Sequence, residues 1–107
     1  MTGQNISVTL DQDRAAIALV GEHEAYTAEK LARTIAGLVD EGASIAIDLR
    51  QATFIDSTVI GVLLSGRRRA AARGLSFVLL MGDETGWPVR RVLDVTGLVA
   101  QFDVVVN

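Results

Sequence analysis

The residues best placed to do chemistry are Asp56-Ser57-Thr58, a carboxylate followed by two hydroxyls directly ahead of the apolar run from Val59 to Leu64. Ser57 at that position predicts a helix N-cap, its hydroxyl near the free amides of Thr58, Val59 and Ile60. An anion carried there meets unpaired N–H groups and the positive end of a helix, a contribution of about 0.3–1 kcal/mol when exposed. The functional reading is therefore a hydroxyl that takes on a phosphoryl group; the plainer one is a cap and nothing more. A second group is His23 between Glu22 and Glu24, read either as a polar surface loop after the second strand or as part of a docking face. Asp56, Ser57 and His23 are the residue types of a hydrolytic triad, yet no Gly-x-Ser-x-Gly elbow exists and nothing in the spacing sets His23 against Ser57. No phosphate-binding glycine loop of either common type is present.

Other candidates have plain and functional readings side by side. Arg67, Arg68, Arg69 and Arg73 favour a helix C-terminus as solvated cations, or offer a basic patch to an acidic partner or an anionic lipid head. Trp87 beside Pro88 is expected to pack at the start of a helix, with an exposed anchor as the alternative, and Tyr26 is read the same way. The chain has no cysteine and one histidine. That excludes a disulfide framework, a thiolate nucleophile and cysteine-ligated zinc, and it leaves too little for a histidine metal site. The expectation is no catalytic residue, no metal and no cofactor.

Composition bounds the rest. The 107 residues are 50% hydrophobic and 21% charged, with a mean hydropathy of +0.35, which predicts an ordered fold over one domain, 1–107. A net charge of -3 argues against nucleic acid as a direct partner. Uncharged stretches such as Ser57 to Gly66 and Gly74 to Gly82 fall short of the roughly 20 residues that span a bilayer, so no membrane insertion is expected. Met1 to Asn5 shows no basic-then-apolar leader, and a cytoplasmic location follows as an expectation.

The elements that must hold these residues are legible in the periodicity. Ile6, Val8 and Leu10 alternate with Ser7 and Thr9; Asp11 to Asp13 has turn chemistry; Arg14 to Val20 returns as a second strand. Gly21 is expected to break that strand and Thr27 to cap a helix carrying Leu31, Ile35 and Leu38 inward, stopped by Gly42. Ser44 to Leu49 reads as a central strand, Gln51 to Asp56 as a connection, and Ile60, Leu63 and Leu64 as a second helix ending at Gly74. Leu75 to Leu80 reads as a strand buried on both faces, Pro88 opens a third helix that stops before Gly97, and Phe102 to Val106 closes the chain as a short strand. The order is ββαβαβαβ, an α/β sandwich with helices packed on a mixed sheet.

The segment from Asp48 to Leu64, DLRQATFIDSTVIGVLL, resembles the signature of the STAS domain, the module shared by anti-sigma-factor antagonists and the tails of sulfate transporters. Gly21-Glu22 with Thr27-Ala28-Glu29 is similar to the family's strand-to-helix segment, and Leu93 to Leu98 to its last helix and exit. In antagonists of this kind the serine after the motif's aspartate is phosphorylated by a partner kinase that is also the anti-sigma factor. The resemblance places that role on Ser57, with Thr58 as the alternative acceptor. It implies that the unphosphorylated protein binds the anti-sigma factor, that the phosphorylated protein lets go, and that a metal-dependent phosphatase resets it. Asp56, Ser57, Thr58, Val59, Glu24 and His23 are the partner-binding residues so implied. Val59 stands where typical members have glycine and Thr58 where many have a second serine. Val59 favours the alternative of a non-phosphorylated STAS subunit or scaffold in a transport or stress-sensing assembly. Either way the resemblance implies a binding module, not an enzyme.

Overall fold

Alternating side chains build the first two elements as a hairpin, β1 (Asn5–Asp11) and β2 (Arg14–His23). They pair antiparallel from Asn5 against Val20 to Asp11 against Arg14. Between them Gln12 sits at a φ of 59°, the positive value that a two-residue hairpin turn needs at its first central position. A computed structural model describes residues 5–106; the stretch Met1 to Gln4, read above for a leader, lies outside the described residues. After the hairpin come α1 (Ala25–Asp40), β3 (Ser44–Asp48), β4 (Ala52–Ile55), α2 (Ser57–Ala72), β5 (Phe77–Met81), α3 (Trp87–Val95), a 3-10 turn (Leu98–Gln101) and β6 (Asp103–Val106).

The sheet runs β1-β2-β3-β5-β6, with every pair after the hairpin parallel and β4 joined to the far end of β2. One face carries the core. Ala15, Ile17 and Leu19 of β2, Ile45 and Ile47 of β3 and Phe77, Leu79 and Met81 of β5 are buried against Leu31, Ile35 and Val39 of α1 and Val59, Ile60 and Leu63 of α2. The intervening residues Ala16, Ala18, Ala46, Val78 and Leu80 are half-buried. β5 is thus covered on one face, not on both as its apolar run suggests, because both long helices lie on the same side.

The mixed α/β architecture with packed helices stands as expected, and the structure adds one strand. β4 lies in the segment read as a connection. Only Ala52 and Ile55 of its four residues are buried while Thr53 and Phe54 face out, so neither alternation nor a continuous apolar run announces it. Gly21 does not end β2. It takes a φ of 84° and pairs with Ala52, after which the register shifts so that Glu22 meets Phe54 and His23 meets Ile55; Thr53 of β4 is the extra residue of this bulge, and β2 runs on across it. α1 starts earlier than Thr27, with Glu24 at its N-cap.

Gly86 fixes where α3 sits. A Cβ at this position would stand 2.5 Å from the Thr53 carbonyl oxygen and 2.6 Å from Thr53 Cα, and the Gly86 amide donates to the Ala52 carbonyl at 2.8 Å. Only a glycine lets the start of α3 come this close to β4. The loop before it is held by Thr85, whose buried hydroxyl donates to the Leu49 carbonyl and accepts from the Gly82 amide, both at 3.0 Å.

Candidate functional site

The N-cap of α2 is Asp56, not Ser57. Asp56 is extended, with φ -101°, and its Oδ1 accepts from the Val59 amide at 3.0 Å. A carboxylate is the stronger acceptor for an orphan amide, and three residues of spacing let it reach back without strain. Its other oxygen, Oδ2, accepts from the Ala25 amide at 3.1 Å. Ala25 is the first residue of α1, whose own N-cap Glu24 gives no side-chain bond. One carboxylate therefore closes the N-termini of both long helices. The Asp56 amide in turn donates to the His23 carbonyl at 3.2 Å, so the end of β2, the start of α1 and the start of α2 meet at this residue.

Ser57 is the first residue of α2 and is exposed, as is Thr58. Freed from capping, the Ser57 hydroxyl stands at a doubled helix N-terminus. Glu24 is exposed beside it, brought close by the Ala25–Asp56 bond. Four of the six residues expected at the site thus share one surface. The other two lie beneath it: Val59 and His23 are both 0% exposed. The surface-loop reading of His23 is overturned, since it ends β2 and its ring is spent internally. Nε2 donates to the Val20 carbonyl at 3.0 Å, which leaves Nδ1 facing the Thr27 hydroxyl at 3.1 Å. A partner cannot touch either side chain, and His23 is not free to act as a base for Ser57. Thr27, expected as a cap, sits inside α1 with its hydroxyl donating to the Glu24 carbonyl at 3.2 Å.

Three exposed aromatic residues rim this end of the sheet. Tyr26, 87% exposed, lies in the first turn of α1; Phe54, 38% exposed, is two residues before Asp56; Trp87, 66% exposed, opens α3 next to Gly86 and Thr53. Trp87 does not pack into the fold as its place beside Pro88 suggested; the Arg91 guanidinium lies 5.1 Å from its ring centre. Phe54 gave no sign in sequence, because nothing in a short apolar stretch tells an inward ring from an outward one.

The arginines of α2 divide. Arg73 donates to the Val39 and Asp40 carbonyls at 2.9 and 2.7 Å, closing the C-terminus of α1, and Arg69 pairs with Asp40 at 3.3 Å. Arg67 and Arg68 are exposed. One further pair escaped the sequence: Asp48 receives the Arg50 amide and Nε through Oδ1 and a terminal nitrogen through Oδ2, at 3.0, 2.9 and 2.8 Å. The Arg50 side-chain hydrogen bonds hold the Asp48 carboxyl below its ordinary value despite partial burial.

Known proteins resemble the chain in sequence and in fold. A family described as Mlab, STAS domain, matches residues 6–104. The chain is 26% identical over 100 residues to the anti-sigma-B factor antagonist of Bacillus subtilis, spanning 94% of this chain and 89% of that one. It is 32% identical over 99 residues to the anti-sigma-B factor antagonist of Listeria monocytogenes, spanning 88% and 83%. In fold it is similar to the anti-sigma factor antagonist SpoIIAA in its unphosphorylated form, with TM-score 0.73 at 20% identity over 94% of this chain and 87% of that one. The phosphorylated form of the Bacillus SpoIIAA matches with TM-score 0.73 at 21% identity, over 94% and 91%.

Proposed function

The chain belongs to the STAS domain family, and from that premise we propose that it acts as an anti-sigma factor antagonist, switched by phosphorylation at Ser57. In this reading the unmodified surface of Ser57, Thr58, Asp56 and Glu24 docks an anti-sigma factor that is itself a serine/threonine kinase. Transfer of a phosphoryl group to the Ser57 hydroxyl ends the complex, and a phosphatase restores it. Thr58 is the alternative acceptor.

The observation that carries this reading is the exposed Ser57 hydroxyl, relieved of capping by Asp56, at the point where two helices present their N-termini. A phosphate here adds about -1.5 to -2 charge beside Asp56 at helix ends that tolerate anions, so the fold persists. The surface changes instead. The arginines of α2 begin ten residues further on, about 15 Å along the helix, too far to neutralise the new group. A partner packed over it must bury an unpaired dianion, which costs several kcal/mol. About 3 kcal/mol already weakens binding roughly a hundredfold.

The scaffold alternative drew on Val59 crowding the modification site. With that side chain wholly buried, Val59 gives the alternative no steric support. The test is intact mass of the protein from its native cells before and after phosphatase treatment. A species about 80 Da heavier than the unmodified chain that disappears on treatment, and is absent from Ser57→Ala, supports the switch; a chain never found phosphorylated leaves the scaffold reading in its place.

A further inference from the structure

We infer that β1 is a homodimerisation edge, pairing antiparallel with β1 of a second copy about a two-fold axis at Val8. The strand borders the sheet, and among the described residues it pairs with β2 alone. Edge strands left open pair with other chains unless a lysine, a proline, a bulge or an inward charge blunts them. From Asn5 to Leu10 this strand has none of these, and its seven residues pair with β2 without a register break. The opposite edge, β6, is four residues long and opens on Asp103.

The sequence of β1 is complementary to itself. The two-residue turn closes on Asp11 and Arg14 as a hydrogen-bonded pair, so Asp11, Thr9, Ser7 and Asn5 direct their backbone groups to β2. The amides and carbonyls of Ile6, Val8 and Leu10 therefore point to the open side. Pairing Val8 with its own copy makes Ile6 face Leu10 and Leu10 face Ile6, and every outward group of the three residues finds a partner. Side chains fall into matching faces at the same register. Ile6, Val8 and Leu10 lie on the helix-bearing side, opposite Leu19, Ile17 and Ala15, yet Val8 remains 41% and Leu10 63% exposed. In the pair they form one apolar stripe. On the other face Ser7 meets Thr9, and the only charge in the strand, Asp11, meets Asn5 and not another Asp11. A slip by one residue would set apolar against polar faces.

A foreign extended peptide can add to the same groups, but it brings no reason for the symmetry of residues 5–11 about Val8; a second copy does. The antiparallel arrangement directs the two Ser57 ends to opposite sides of the joined sheet.

Sedimentation equilibrium of the full chain from micromolar to millimolar concentration tests this. The wild type is expected to show a concentration-dependent monomer–dimer equilibrium, and Val8→Lys, which sets two ammonium groups opposite each other, to weaken it by about tenfold or more. Val8→Glu should do the same, and an equimolar mixture of the two variants should recover the dimer, because lysine then faces glutamate. Val105→Lys on the opposite edge should associate as the wild type does. A wild type monomeric throughout, a Val8→Lys that dimerises unchanged, a mixture that stays monomeric while both variants remain folded by circular dichroism, or a dimer lost in Val105→Lys would each overturn the proposal.

Discussion

At the scale of single residues, Asp56 does the most. It satisfies two orphan amides on two helices, whereas an ordinary cap satisfies one. Asp56→Ala should therefore cost about 2 kcal/mol, the upper end for a cap, and Asp56→Asn an intermediate amount, since its single amide oxygen keeps one of the two bonds while its NH2 cannot accept the other; urea denaturation measures both. Asp48 predicts a pH dependence. Its carboxyl is held below its ordinary 3.8 chiefly by the Arg50 side chain, so its contribution is fully present above the range in which the unfolded residue titrates and is lost as pH falls through the lowered value. Asp48→Asn should lower Tm near neutrality, and the gap to the wild type should close as the solution is taken below the usual aspartate range. A gap that stays constant in acid would show that Arg50 does not act through the charge.

At the scale of elements, the site depends on the short β4 being held in place. Among the described residues it joins the sheet only through the last three residues of β2, Gly21 to His23, and α3 presses on it through the Gly86–Thr53 approach. Gly86→Ala forces backbone apart, since the atoms it meets are main-chain atoms that no rotamer can move. The expected loss is about 1–3 kcal/mol, and hydrogen exchange should rise first at the amides of β4 and at the start of α2. The basic face of α2 is in part an element-scale device: Arg73 and Arg69 tie its C-terminal half to the end of α1, while Asp56 ties the N-terminal ends. The two helices are therefore joined at both ends by polar contacts and between them by the core.

At the scale of the molecule, modification and stability should separate. Ser57→Asp and Ser57→Ala are both expected to melt within a few degrees of wild type, because the exposed hydroxyl supports no part of the fold, yet only Ser57→Asp should lose the anti-sigma factor in a pull-down or by calorimetry. Equal binding by the two variants would count against an electrostatic switch.

Long amphipathic and alternating segments were legible in the sequence: the hairpin, α1, β3, α2 and α3 each repeat an apolar residue often enough for the period to be read, and the Asp56-Ser57-Thr58 stretch stood out by its place before an apolar helix. What the order of residues could not show depended on partners remote in the chain. The capping role passes from Ser57 to Asp56, whose second bond runs to Ala25, thirty-one positions away. His23 reads as a surface residue among charges until β4 and α1 close over it. Ser57 is left exposed because Asp56, its neighbour in the chain, takes over the cap through the Val59 amide, while the second Asp56 bond, to Ala25, exists only in the packed fold: local patterning determined which segments fold, and their packing decided which further polar groups were consumed and which were left facing solvent.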